Sequence, residues 1–324
     1  MAKIMVDVVA TSSVVPKVEL QLGLDKLSEL GFSTTIADNI MLQEFAYAGS
    51  AEQRATAFYR AAMSDSDLVW AIRGGYGAAQ LLDILTQLSA RGKPTKQKIL
   101  IGYSDLTALY QFVSEQWGWK ILHAPMLSSK DFRQITLENE RQLLSLLADS
   151  CANLKWHNQL LKWIYTPYSS LPPITAQLYG GNLAVICSML GTPWQLDFSD
   201  KILFLEEIGE SWSKIDRMLE QLYHSGSLTN CKAIVLGEFT SCKDASPKGL
   251  SSEYNQALEN IRKTLTAAQG MEEVFTRLGE KLNIPICSGL PVGHCLKNSP
   301  LPLLATYQLS IAKGLELMCW SSVR

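Results

Sequence analysis

The sequence predicts an α/β fold, with a parallel sheet and helices on both faces in its first half, followed by a second unit. Three observations carry this. Short apolar runs alternate with amphipathic segments from Lys3 to His123, at the spacing of repeated strand–helix–strand units. The chain is 324 residues long, which suits two domains. A proline-rich stretch, Thr166–Pro173, has three prolines in eight residues and reads as a linker. The expected division is residues 1–165, the linker 166–173, and residues 174–324.

Each element follows from local pattern. Lys3–Ala10 is a first strand ending in Thr-Ser-Ser. Val18–Leu30 has helical spacing and stops at Gly31, and Phe32–Ala37 is strand-like. Ala51–Met63 is a helix with Ser50 as its cap. Leu68–Ile72 is a buried strand before a helix over Gly77–Leu88. The strand Lys98–Tyr103 runs directly into a helix over Asp105–Gln116, and Trp119–His123 is a further strand. Glu138–Leu147 is helical, after which the pattern lapses. Beyond the linker come a strand Ile174–Tyr179 leading to Gly180-Gly181-Asn182, a helix Leu183–Leu190 and a strand Lys201–Leu205. Then follow a helix Ser213–Tyr223, a strand Ala233–Phe239, a mostly helical Tyr254–Leu282, a short strand Pro285–Cys287 and a turn at Gly293-His294.

Composition narrows the function. With 47% hydrophobic and 19% charged residues the chain is globular. Its 29 basic and 31 acidic residues give a net charge of −2, so there is no basic excess for a nucleic-acid partner. The seven cysteines contain no C-x-x-C pair, which argues against a disulfide framework or a zinc ribbon. The opening MAKIMVDVVATSS is broken by Asp7 and reads as a strand rather than a signal peptide, and no window nears 18 uncharged apolar residues. The expectation is a cytoplasmic protein without a membrane segment, metal or cofactor.

Chemistry concentrates at the strand ends. In Ile99–Leu109 an apolar strand meets Gly-Tyr-Ser just before a helix, which pushes Ser104 out of the sheet near free helical N–H groups. This matches the first half of a G-x-S-x-G elbow, with Leu106 in place of the final glycine; the alternative is that Ser104 is a helix cap, with Asp105 in the first turn. Arg73-Gly74-Gly75-Tyr76-Gly77 follows another strand and lacks phosphate-loop spacing, so it is either a tight turn or an oxyanion and substrate cradle. Arg73 suits a substrate carboxylate, or equally a local structural acid. Among the histidines, His123 ends a strand and His294 lies in a glycine-containing polar loop, whereas His157 and His224 read as structural or exposed. Glu206 and Glu207 end a strand on opposite faces, so only one of them can orient an imidazole.

Taken together in order, several segments resemble the LD-carboxypeptidases, the family that includes murein tetrapeptide carboxypeptidases and microcin C self-immunity peptidases. They are Ala48–Arg54, Ala71–Ala79, Ile101–Leu109, His123-Ala-Pro-Met126 and Gly180-Gly-Asn-Leu183. Leu203–Glu210, Asp216–Leu219, Gly293-His294, Asn298 and Leu301-Pro302 complete the set. The resemblance implies a class I glutamine amidotransferase-like N-terminal domain and a smaller, swivelling, β-rich C-terminal domain. It implies Ser104 as nucleophile, His294 as base and Glu206 as acid, with Gly75 and Asp105 N–H groups as oxyanion hole and Arg73 and Gly74 near the substrate. The sequence departs from the family at Ala124, where Gly is usual, at Glu207 for Asp, at Ala184 for Ser, and at Leu304 near a usual Gly. The implied activity is removal of the terminal D-alanine from murein tetrapeptide in cell-wall recycling, by a homodimer. The alternatives are an immunity peptidase acting on peptidyl or aminoacyl nucleotides, a silent binding module on the same fold, and an α/β-hydrolase esterase. The last is disfavoured by the missing elbow glycine.

Overall fold

The computed structural model describes residues 4–148, 154–157, 159–168, 172–243 and 267–320. Its first half comprises β1 (Met5–Val9), α1 (Lys17–Glu29), β2 (Ser33–Ile36), α2 (Ala51–Met63), β3 (Leu68–Ala71) and α3 (Leu82–Arg91). These are followed by β4 (Ile99–Ile101), α4 (Tyr110–Trp117), β5 (Lys120–His123), α5 (Lys130–Arg133) and α6 (Leu137–Leu147). Next come β6 (Lys155–Trp156), β7 (Lys162–Tyr165), β8 (Ile174–Asn182), α7 (Leu183–Ser188), β9 (Ile202–Ile208), α8 (Trp212–His224) and β10 (Ala233–Thr240). The chain closes with α9 (Ala267–Leu282), β11 (Ile286–Ser288), β12 (Leu301–Leu303), β13 (Ala305–Ser310) and β14 (Gly314–Cys319).

Two sheets organise these elements. The first has the order β12-β5-β4-β3-β1-β2, parallel except for β12, whose Leu301 pairs antiparallel with His123. β3, Leu-Val-Trp-Ala, is buried along its whole length, as befits a central parallel strand covered on both faces. The second sheet runs β6-β14-β13-β8-β9-β10-β11-β7, with a parallel centre from β8 to β11 and antiparallel flanks. Ser50 caps α2 in a reciprocal box with Gln53.

Several elements differ from their sequence reading. The helices expected at Gly77 and Asp105 begin as 3₁₀ turns, Ala78–Leu81 and Ser104–Leu109, before α3 and α4 take over. The Asp105 carboxylate accepts the Ala78 N–H at 2.8 Å and ties the two turns together. β8 does not end at Tyr179 but runs through Gly180 and Gly181 to Asn182. A Cβ on Gly180 would lie 1.8 Å from the Phe204 carbonyl oxygen, so the close β8–β9 contact requires glycine there. β6 and β7 precede the expected linker yet pair in the second sheet, while β12 lies well beyond it and completes the first. Residues 244–266, part of the expected helix from Tyr254, and residues 169–171 of the linker lie outside the described residues.

Candidate active site

β4 delivers the chain into Gly102-Tyr103-Ser104. Ser104 is half-buried and holds φ +63°, a left-handed conformation that few non-glycine residues adopt. Such strain persists only where surrounding structure enforces it, and it is typical of a strand-to-helix elbow. The Arg73–Gly77 turn packs directly against this serine: a Cβ on buried Gly74 would lie 3.1 Å from Ser104 Oγ. Gly75 has φ +112°, and a side chain there would collide with Ser13. Arg54, 1% exposed, braces the turn by donating to the carbonyls of Thr11, Gly49 and Gly77 and to Gln80 Oε1. Arg73 is exposed and donates to the Val14 carbonyl at 3.1 Å; among the described residues it makes no ion pair.

The imidazole comes from a loop that passes between the two sheets. His294 lies in the loop between β11 and β12, and its Nδ1 is 2.7 Å from Glu206 Oε2. Glu206, at the buried end of β9, has no exposed surface. The next residue has a different task. Glu207 Oε1 accepts from Asn182 Nδ2 at 3.0 Å and from the Ile208 N–H at 2.8 Å, and its Oε2 accepts the Ala184 N–H at 2.8 Å in the first turn of α7. Burial of His294 works against its charged form, but the hydrogen bond to Glu206 and the charges of Glu206, Glu207 and Asp131 outweigh it. The imidazole is therefore held above its ordinary pKa. With Nδ1 engaged by the carboxylate, Nε2 is the nitrogen left to exchange a proton.

Tyr103 joins the two halves. Its ring lies edge-on to His294 at 4.8 Å, and its hydroxyl donates to Asp131 Oδ2 at 3.3 Å. The same oxygen accepts from Asn298 Nδ2 at 2.9 Å, and Asn298 Oδ1 accepts the Gly293 N–H at 2.9 Å. His123 ends β5 beneath the site and is fully buried between the rings of Tyr103 and Phe204, and burial lowers its pKa to about 4. His157 and His224 are exposed and remote from this constellation. Sequence reasoning missed Asp131 and gave Arg54 and Asn298 no role. Asn298 and Arg54 sit inside segments that resemble the family, whereas Asp131 lies in an ordinary Lys-Asp-Phe-Arg turn.

Among the described residues, no group of three or more His, Cys, Asp or Glu side chains is placed to hold a metal ion. No helix among them is long and apolar enough to cross a membrane.

The two-sheet architecture, with a strained serine turn after β4 and, against the neighbouring Tyr103 ring, the imidazole of a His–carboxylate pair, defines a two-sheet α/β class of protein. Comparison with known proteins makes this specific. Residues 6–124 match the LD-carboxypeptidase N-terminal domain and residues 175–309 the LD-carboxypeptidase C-terminal domain, so the chain belongs to the LD-carboxypeptidase family. It is 36% identical over 200 residues to a putative carboxypeptidase of Rickettsia conorii, a match spanning 61% of this chain and 62% of that relative. A probable murein peptide carboxypeptidase of Bacillus subtilis is 29% identical over 315 residues, covering 95% of this chain and 89% of its own length. The crystal structure of muramoyltetrapeptide carboxypeptidase from Oxalobacter formigenes superposes with a TM-score of 0.75 at 28% identity, covering 97% of this chain and all of that one.

Proposed function

We propose that this chain is a serine carboxypeptidase that releases the terminal D-alanine of murein tetrapeptide, in cytoplasmic cell-wall recycling and as a homodimer. The observation that carries the mechanism is the 2.7 Å Glu206–His294 pair set against the strained Ser104 turn. Membership of the family and the names of its relatives support the substrate.

His294 Nε2 takes the Ser104 proton as Oγ attacks the carbonyl carbon. Negative charge develops on the carbonyl oxygen and is met by the N–H groups of Gly75 and Asp105. Glu206 accepts the hydrogen bond from Nδ1–H and stabilises the imidazolium. That imidazolium protonates the leaving nitrogen, D-alanine departs, and a water deprotonated by His294 hydrolyses the acyl-enzyme. Exposed Arg73, beside the Gly74–Gly75 cradle, reads the substrate's terminal carboxylate.

The test is release of D-alanine from murein tetrapeptide by wild-type protein and by Ser104→Ala. The expected result is turnover in the former and a loss of at least about 10³-fold in the latter with folding intact. Cleavage of peptidyl-nucleotide analogues with no D-alanine release would instead favour the immunity-peptidase reading.

A further inference from the structure

We propose that Asp131 is a positioning residue: one buried carboxylate oxygen that sets the serine turn and the histidine loop in register. The proposal rests on the roles given above to Ser104 and His294.

The two groups that must exchange a proton arrive on different supports. Ser104 follows β4 of the first sheet. His294 sits midway along a connection that leaves the second sheet at β11 and enters the first at β12. Such a connection needs local restraints to hold an imidazole to a few tenths of an ångström. On one side, Glu206 holds the ring and the Thr240 hydroxyl donates to the His294 carbonyl at 2.6 Å. Both of these anchors belong to the second sheet, so neither relates the ring to the serine.

Asp131 supplies that relation. Its Oδ2 accepts from the Tyr103 hydroxyl, one residue before Ser104, and from Asn298 Nδ2, four residues after His294. Asn298 passes the restraint on, because its Oδ1 accepts the N–H of Gly293, next to His294. Asp131, Tyr103 and Asn298 are 6%, 5% and 1% exposed, so water does not compete for these bonds. Tyr103 also presents its ring edge-on to the imidazole, so a shift of the tyrosine moves the wall against which His294 rests. The carboxylate thus ties the serine turn to a loop segment 167 residues further along the chain than Asp131 itself.

The consequence is specific to turnover. Misplacing a reacting group by about an ångström costs on the order of 10²-fold in rate, while substrate binding at the cradle is left alone. In folded Asp131→Ala, kcat on murein tetrapeptide should fall by about 10²-fold with little change in KM. Asp131→Asn keeps an oxygen able to accept both bonds and should recover most of that loss. Asn298→Ala should show the same kcat loss, and the Asp131→Ala/Asn298→Ala double variant should be little worse than either single one, since both cut one connection. If Asp131→Ala fails to fold, Asn298→Ala alone carries the test. Wild-type kcat in the folded variants, or a loss that merely tracks the unfolded fraction, would overturn the proposal. Ser104→Ala, assayed alongside, separates the two readings. If it is inert while the Asp131 variants turn over normally, only the positioning role falls; if it stays active, the site assignment falls and this inference with it.

Discussion

At the scale of the residue, two adjacent acids show how pattern and geometry divide the work. Strand alternation places Glu206 and Glu207 on opposite faces, and because both faces of β9 are apolar upstream, the sequence alone leaves open which face meets the histidine. The geometry separates them: Glu206 contacts the imidazole, whereas Glu207 accepts from Asn182 and Ala184 at the start of α7 and from the neighbouring Ile208 N–H. Glu206→Gln should therefore lower kcat by at least about 10²-fold with little effect on folding. Glu207→Gln should cost under about tenfold in kcat but about 1–3 kcal/mol of stability, since an amide turns an N–H toward donors that need an acceptor. Chemical denaturation alongside kinetics decides between them; the reverse pattern would move the acid to Glu207. The same pair sets the pH response. His294 must be neutral to act as base, and its pKa is raised, so kcat/KM should fall as pH drops through a value above the ordinary 6.5. Where Glu206→Gln leaves measurable activity, its acid limb should move to lower pH. The turns that carry Ser104 and His294 stand out in the sequence because each is a short glycine-bearing motif. Asp131 does not, because what gives it a role is a contact 167 residues away that leaves no local trace.

At the scale of the element, the parallel half was largely readable, since β1, β3, β4 and β5 are short runs rich in apolar residues and the longer helices are amphipathic with recognisable ends. β12, β13 and β14 went unread, because Leu301–Cys319 gains its meaning only from partners far away, β5 for the first and β8 for the second. Leu304, near a position where the resembling family carries glycine, holds φ +55° at the join between β12 and β13. The glycines of β8 are the sharper case. Read locally, Gly180-Gly181 suggests the end of a strand; in the structure it lets β8 press against β9 at the point where Glu206 emerges. Gly180→Ala should accordingly cost more than about 3 kcal/mol or prevent folding, because the obstacle is the Phe204 backbone and cannot swing aside. Gly191→Ala is the control: it also has positive φ, at +77°, but a Cβ there meets nothing within 4 Å. Its cost should be limited to about 1–2 kcal/mol of backbone strain. Equal losses in thermal unfolding would show that conformation, not the approach of β9, is what requires Gly180.

At the scale of the whole molecule, the two sheets exchange strands along the chain, and their cores bury groups whose ionisation then belongs to folding itself. Burial pushes the thiols of Cys231 and Cys242 up to about 11 and those of Cys187, Cys287 and Cys295 to about 12, against an ordinary 9. Above pH 9 the unfolded chain releases these protons while the folded chain keeps them, so stability falls as pH rises. Lys98 acts in the opposite sense. Its ammonium is buried in the first sheet, where it donates to the carbonyls of Ala61 and Ser64 and to the hydroxyls of Ser64 and Ser66, 3.9 Å from Asp7. Burial lowers its pKa to about 8 from 10.5, so between those values the folded state holds less of this proton than the unfolded state does, and stability gains. Each full proton of difference is worth about 1.4 kcal/mol per pH unit. Among these groups Lys98 acts first, between pH 8 and 9, and five thiols oppose it above that, joined beyond pH 10 by the buried hydroxyls of Tyr103, Tyr110, Tyr179 and Tyr307. Thermal unfolding under reducing conditions should therefore show a shallow rise from pH 8 to 9 and then a steep decline. Lys98→Met should remove the rise and leave the decline, and Cys287→Ala should make the decline shallower. A melting temperature that stays level to pH 10.5 would mean that the thiols ionise as readily in the folded protein as in the unfolded chain, against the burial of Cys187, Cys231, Cys242 and Cys287.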